Sequence, residues 1–257
     1  MATIAQRAMS FGAIAADYDR LRPDAPDEAV DWLVPAGCEV AVDLGAGTGK
    51  LTRALARRVP RVIAVEPDER MRAVLRSRSP GVEAVAGRGE AIPLADASAD
   101  GVFISSAWHW MDPGQAVAEV TRVLRDGGRL GLTWTSRDRE AGWLRELADR
   151  GWPGHNGQSG GGGGSTRPAR PGREMMPAGP DLAGVVAESF TFSTMMTIDE
   201  LVEQLGTYSG VITASPAERT AGLGRARAAL EELFPGAAQI EVPMRTRCWR
   251  ADRRPRM

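Results

Sequence analysis

The chain has little of what would mark a specialised environment. Its 257 residues include only two cysteines, Cys38 and Cys248, far apart and with no neighbouring Cys or His at metal-ligand spacing. Neither a disulfide framework nor a zinc site is suggested, and both thiols read as packing residues. Lysine is almost absent: Lys50 stands alone and the other basic residues are arginine, as the codon bias of a GC-rich genome produces, so arginine content is no nucleic-acid signature. The formal net charge of −1 nominates no polymeric partner. The short basic tail Arg250 to Arg256 reads as a solvated terminus rather than a phosphate contact. Nowhere do roughly 18 apolar residues run together, and MATIAQRAMSFGAIAADYDR has no continuous apolar core before a cleavage site. The expectation is a cytoplasmic chain with no membrane and no nucleic-acid partner.

What is present is 43% apolar and 25% charged residues, the balance of a globular chain long enough for one α/β core with a smaller appended lid. From residue 38 to residue 134, short apolar β-rich runs alternate with helical patterns, the signature of βαβ units on a parallel sheet. The spacing predicts strands over Glu39 to Leu44, Arg61 to Glu66, Val82 to Ala86, Gly101 to Ser106 and Arg129 to Trp134. Asp68 is placed to cap a helix through Arg76. Asp112 followed by Pro113 starts another, ending at Asp126-Gly127-Gly128, with Ala116, Val120 and Val123 on its inward face. Residues 153 to 180 are too rich in Gly, Pro and Ser to pack a core and predict a mobile loop. Within them, Gly161 to Ser165 spell GGGGS, which natural glycine runs and engineered linkers share. Thr197 to Glu200 and Ser215 to Glu218 each fit a capping box, predicting two helix starts. Gln239 to Arg250 alternate as one or two strands returning to the sheet.

The strongest chemical signal is EVAVDLGAGTGKLT, a buried strand running into the turn Gly45, Ala46, Gly47, Thr48, Gly49. A glycine turn alone is shared with dinucleotide enzymes. Here bulky Lys50 stands where G-x-G-x-x-G needs a third small residue, and Asp43 would set a carboxylate near a pyrophosphate. A ligand with an ammonium and no phosphate, such as S-adenosylmethionine, would welcome that carboxylate. Glu66, 21 residues after Gly45 at the end of the second strand, can accept both ribose hydroxyl protons; the bland alternative is a surface acid starting the helix at Pro67.

VDLGAGTGKLT, VIAVEP, AGRGEAIPLADASADGV, AWHWMD and RVLRDGGRLGLTW together resemble, in order, the motifs of class I S-adenosylmethionine-dependent methyltransferases, over about residues 8 to 145. The tryptophan-histidine-tryptophan after strand four, TSRDRE after strand five and the terminal RTRCWRA are similar to an actinobacterial branch near trans-aconitate methyltransferase. The resemblance implies an α/β, Rossmann-like, seven-stranded, mostly parallel sheet with helices on both faces and a helical lid. Its organisation would be an N-terminal cap over cofactor (1–35), a cofactor-binding core (36–135), a lid and substrate region (136–225), and a C-terminal helix and strands completing the core (226–257). It implies S-adenosyl-L-methionine as cofactor, S-adenosyl-L-homocysteine as product and no metal. Asp43, Gly45, Ala46 and Gly47 would surround the methionine part, Glu66 hold the ribose, and Pro67 and Met71 flank the adenine. The family's Gly-x-Ala-Glu appears as Gly87-Arg88-Gly89-Glu90, bringing Arg88, Gly89 and Glu90 to the adenine edge, with glycine for the usual alanine and arginine at the polar position. Tyr18, in the N-terminal segment, would hydrogen-bond the methionine carboxylate, or else pack with Phe11 on the sheet.

Methyl transfer is an in-line displacement, so alignment and exclusion of water are the enzyme's tasks. A carboxylate acceptor, ionised at neutral pH, needs no base; a hydroxyl acceptor benefits from one. His109, between Trp108 and Trp110, is the candidate catalytic base or substrate contact, with a turn-locking histidine as the alternative. Ser105 is a cofactor-pocket candidate, and Trp108, His109 and Trp134 are substrate-pocket candidates, with aromatic packing as their alternative. Nucleic-acid amino-methylation is disfavoured because Ser105-Ser106-Ala107-Trp108 stands where an Asn-Pro-Pro-Tyr-like tetrad would be. The expected function is O-methylation of a small-molecule carboxylate or hydroxyl. C- or N-methylation of a natural-product intermediate, or a non-catalytic S-adenosylmethionine-binding protein, are the alternatives. Oligomeric state is not legible.

Overall fold

The computed structural model describes residues 9–138, 140, 142–149 and 180–255. The glycine-rich loop expected at 153–180 lies outside the described residues except for Pro180. Strands β1 (Val40–Leu44), β2 (Arg61–Val65), β3 (Glu83–Val85) and β4 (Ala99–Ser105) fall within a residue or two of expectation. Helix α3 (Lys50–Ala56) follows β1, α4 (Glu69–Arg78) follows β2, β3 leads to β4 with no helix between them, and α5 (Pro113–Val123) follows β4 and runs directly into β5 (Leu124–Arg137). Before them stand α1 (Ala15–Leu21) and α2 (Asp27–Leu33); after them come α6 (Gly142–Asp149), β6 (Leu182–Met196), α7 (Ile198–Gly206), α8 (Ser209–Ile212), α9 (Pro216–Leu233) and β7 (Ile240–Arg253).

The seven strands form one mixed sheet in the order β3-β2-β1-β4-β5-β7-β6. Strands β1 to β5 pair in parallel; Asp43 lies in register with Ala64 on β2 and with Phe103 on β4. Strand β7 runs antiparallel to β5, since Thr135 meets Thr246, Thr133 meets Cys248 and Arg129 meets Asp252. Side chains alternate across each strand, so odd and even residues of β1 serve different cores. Val42 and Leu44 pack with Ala116, Val120 and Val123 of α5, all three fully buried as their spacing requires. Ala41 packs with Ala29, Val30 and Leu33 of α2, Leu51 and Leu55 of α3, and Phe103. Two covered faces explain why β1 and β2 read as near-continuous apolar runs.

Each expected cap is made. Asp68 accepts from the Arg70 N–H and Asp112 from the Gln115 N–H, while Thr197 with Glu200 and Ser215 with Glu218 complete reciprocal capping boxes. Two expectations are corrected. Helix α5 stops at Val123 rather than at Asp126-Gly127-Gly128, because Leu124 is already extended (φ −66, ψ 141) and begins β5. Strand β6 was not expected at all. Its alternating exposure from Phe190 to Met195 is a weak period-two signal, carried by Phe190 and Phe192 among polar residues.

Among the described residues, contacts divide the chain into two compact units. One draws on Pro23–Thr135, Pro171–Phe190 and Thr246–Met257 and contains the two cores just described. The other draws on Met1–Arg22, Ser136–Arg170 and Thr191–Arg245. Its own core joins Leu144 of α6 with Met196, Leu201, Leu205, Ala226, Leu230 and Val242, and Trp143 meets Phe234 edge to face at 5.3 Å. Both cysteines are buried and unpaired, and burial pushes each thiol up to about 11. The thiolate is the reactive form, so neither cysteine should react with Ellman's reagent at pH 8 in native protein and both should react in denaturant. A prompt native thiol signal would contradict this packing.

Candidate active site

Strand β1 is flanked by β2 on one side and β4 on the other, so the order reverses there and the carboxyl ends of these strands open a crevice. At the end of β1 the chain turns through three residues with positive φ, Gly45 (71°), Gly47 (56°) and Gly49 (86°). Gly45 is required twice over, since a Cβ there would also lie 2.7 Å from the Ala107 Cβ. Gly47 differs: nothing stands within 4 Å of a Cβ built on it, so its backbone is open to close approach by a ligand. The turn is pinned below, where the Gly45 and Ala46 N–H groups both donate to the Val65 carbonyl at 2.8 and 3.1 Å.

Two carboxylates bracket this turn. Glu66, 8% exposed, accepts from the Gly47 N–H on Oε2 and from the Asp68 N–H on Oε1, each at 2.9 Å. One bond per oxygen leaves each with acceptor capacity for a diol. Burial raises the Glu66 carboxyl above its ordinary value, and the two N–H donors partly offset this. Asp43 is fully buried. Its Oδ2 accepts from the Thr52 hydroxyl at 2.5 Å, whereas Oδ1 has no hydrogen-bond partner. Burial beside apolar Ala64 and Phe103 pushes the Asp43 carboxyl up to about 7, with the Thr52 hydrogen bond working against the rise.

Around the turn, Pro67 is exposed and Met71 buried. Arg88 and Ala91 exchange backbone hydrogen bonds at 3.4 and 3.1 Å, and the Arg88 side chain is exposed. Gly89 is buried, and a Cβ there would reach 2.5 Å from the Met111 sulfur. The Glu90 carboxylate accepts from the Asp112 N–H at 2.8 Å, tying this loop to the start of α5. Ser105 ends β4, and Ser106 follows at φ 53° with its N–H donating to the Thr133 carbonyl. Trp108 to Trp110 form a single 3-10 turn in which Trp108 is buried and His109 exposed. The His109 ring lies 4.1 Å from Trp110 and 4.8 Å from Trp134, centroid to centroid.

Asp43, Gly45 to Gly47, Glu66 to Met71, Arg88 to Glu90, Ser105, Trp108, His109 and Trp134 thus share one unit. Tyr18 belongs to the other, where it meets Phe11 edge to face at 5.6 Å. Sequence reasoning missed Thr52, Ala107, Met111 and Trp110. Thr52 lies nine residues after Asp43, a spacing that only the strand-turn-helix geometry turns into contact. Met111 carries no chemical signal, yet its side chain approaches both Gly45 and Gly89.

The acceptors and glycines present fit a nucleoside bearing a cationic amino-acid group. The orphaned Asp43 oxygen and the open Gly47 backbone are the observations that decide this. Residues 42–132 match the methyltransferase-domain family. An uncharacterized methyltransferase from Mycobacterium tuberculosis is 39% identical over 246 residues, 95% of each chain. A malonyl-[acyl-carrier protein] O-methyltransferase from Methylococcus capsulatus is 37% identical over 136 residues, covering 49% of this chain and 50% of that one. Among solved structures, a chain described as a type II methyltransferase from Anaeromyxobacter dehalogenans superposes with a TM-score of 0.65 at 25% identity, over 91% of this chain and 99% of that one. With a relative this similar across nearly the whole length, and a glycine turn built as this one is, the chain belongs to the class I S-adenosylmethionine-dependent methyltransferases.

Proposed function

We propose that this enzyme methylates an oxygen of a small molecule, a carboxylate or a hydroxyl, and that Asp43, Gly45, Ala46, Gly47, Glu66, Pro67, Met71, Arg88, Gly89, Glu90 and Ser105 hold its cofactor. The observation that carries the cofactor assignment is the buried Asp43 carboxylate with one oxygen lacking any protein donor beside the open turn. When bound, S-adenosylmethionine supplies an electrophilic methyl group on a sulfonium. Glu66, already oriented by two backbone donors, offers its remaining lone pairs to a ribose diol. Asp43 supplies negative charge toward an ammonium. Trp108, Trp134 and His109 line the acceptor side, the aromatic surfaces excluding water and His109 accepting the proton of a hydroxyl acceptor. A carboxylate acceptor would leave His109 a contact only. The relative named for malonyl-[acyl-carrier protein] O-methylation matches half of the chain and is compatible with a carboxylate. The tryptophans after β4 and the RTRCWRA segment keep the trans-aconitate-like branch as the finer proposal.

The Asp43 reading has a pH signature. A carboxyl raised to about 7 is protonated below that pH, and the protonated form has no charge for an ammonium. The affinity for S-adenosylhomocysteine should therefore rise by about tenfold between pH 6 and pH 8 and then level off, as the competent fraction grows. In the cofactor-free protein the sign is opposite: a raised carboxyl pKa contributes stability that is present below the unfolded value and lost as pH rises through about 7. Asp43→Asn should flatten both profiles. An affinity independent of pH over this range would remove Asp43 from the cofactor's charge balance.

The identifying experiment is calorimetric titration with S-adenosylmethionine, S-adenosylhomocysteine and NAD. Binding of the first two alone supports the assignment and leads to an acceptor screen with radiolabelled methyl. Binding of NAD alone, or of neither sulfur ligand, overturns it.

A further inference from the structure

Thr52 has no part in the cofactor assignment, yet its hydroxyl is the partner of the carboxylate on which that assignment turns. It is the third residue of α3, and its Oγ1 lies 2.5 Å from Asp43 Oδ2 on β1. Both side chains are fully buried, so solvent competes for neither. A threonine inside a helix commonly turns its hydroxyl back to the carbonyl four residues earlier. Thr121 of α5 does this, donating to the Val117 carbonyl at 2.9 Å. In α3 the corresponding carbonyl, that of Thr48, accepts from Arg53 Nη1 at 3.1 Å, and the Thr52 hydroxyl reaches out of its helix to the strand.

A hydroxyl has a single hydrogen, and a carboxylate only accepts. The Thr52 hydrogen is therefore committed to Oδ2 whenever Asp43 is ionised, while Oδ1 keeps no donor. The bond fixes the carboxylate on one side and favours its charged form. The Thr52 main chain and the charge of Arg53 act in the same direction, against burial and against the charge of Glu66. Inside the sheet a charge acts through space several times more strongly than in water. A cation held at the glycine turn is thus sensitive to whether Asp43 is ionised, and Thr52 is the neutral group set to keep it so.

We propose that Thr52 is the positioning residue of the cofactor carboxylate, its hydroxyl anchoring Asp43 through Oδ2 and leaving Oδ1 for the positive charge of S-adenosylmethionine; the proposal rests on the Asp43 reading above. The test titrates wild type, Thr52→Val and Thr52→Ser calorimetrically with S-adenosylhomocysteine at pH 6, 7 and 8.5. Valine keeps the shape of threonine without the hydroxyl, and serine keeps the hydroxyl. Losing a hydrogen bond to a charged group displaces a carboxyl by about one pH unit, upward here because the bond favours the charged form. Starting from a carboxyl at about 7, Thr52→Val should bind about tenfold more weakly than wild type at pH 6, about fivefold at pH 7 and nearly equally at pH 8.5. The ratio at each pH cancels titration of the ligand itself. Thr52→Ser should restore the wild-type profile.

A second measurement needs no ligand. The stability contributed by the raised Asp43 carboxyl is lost as pH rises through about 7. In Thr52→Val that loss continues to higher pH, so the gap in melting temperature between variant and wild type should widen from pH 6 to pH 8.5. The same melts establish that each variant is folded. An affinity ratio that stays constant with pH in a folded Thr52→Val makes Thr52 a packing residue and overturns the proposal. So does wild-type affinity of that variant at every pH, or a melting-temperature gap that does not change. A wild-type affinity that is itself independent of pH is a separate result: it overturns the Asp43 reading, and the melting-temperature gap still decides whether Thr52 holds the carboxylate.

Discussion

Glu66→Ala is expected to weaken S-adenosylhomocysteine binding by about 1.5–3 kcal/mol, the usual value of hydrogen bonds to a charged acceptor, which is roughly 10- to 150-fold in the dissociation constant. Two effects combine. On the proposed reading the ribose loses its acceptors, and the Gly47 and Asp68 N–H groups that Glu66 now satisfies are released, loosening the turn. Glu66→Gln separates them. It retains one carbonyl acceptor but sets an amide donor against a backbone donor, so it should lose nearly as much affinity as alanine. The measurement is calorimetry at matched pH with thermal denaturation in parallel. A folded alanine variant with wild-type affinity would show that Glu66 only organises the loop.

Phe103→Ala should cost about 3–5 kcal/mol of folding stability, the range for deleting a buried aromatic ring. Phe103 is fully buried on β4, and its ring fills the space that side chains at two glycines would need. A Cβ on Gly101 would lie 2.5 Å from a ring carbon of Phe103, and one on Gly131 would lie 2.7 Å from another. Neither glycine can supply atoms to the vacated volume, and the neighbours Leu33, Leu55 and Val62 are already packed in the same core. Because domains of this kind are stable by only about 5–15 kcal/mol, the loss is a large share of the whole. Equilibrium urea unfolding reads it directly. A decrease below about 1 kcal/mol would mean that the surrounding core collapses into the vacated volume.

Much of the core was legible in local pattern. Asp68 and Asp112 were recognisable as caps, and Thr197 and Ser215 as capping boxes, because a cap is a contact within three residues. Strands β1 to β4 and the inward face of α5 followed from periodicity. The extent of β5 was not, because Asp126, Gly127 and Gly128 read as a helix stop while the backbone was already extended at Leu124. Strand β6 escaped because its Phe190 and Phe192 alternate with small polar residues and their partners are remote in sequence.

The site divides the same way. Glycine spacing, Asp43 before the turn and Glu66 ending the next strand could be read directly, since all three sit at fixed offsets from one strand-turn-helix unit. That Asp43 has one oxygen bonded by Thr52 and the other bonded by nothing could not. Nor could the approach of Met111 to Gly45 and Gly89. The sequence by itself determined the family, the parallel α/β core and the cofactor class, because these depend on short-range spacing and on the period of apolar residues. Only the tertiary structure decided which carboxylate is starved of donors and which aromatics stack on His109, because burial and long-range juxtaposition exist only once the chain has folded.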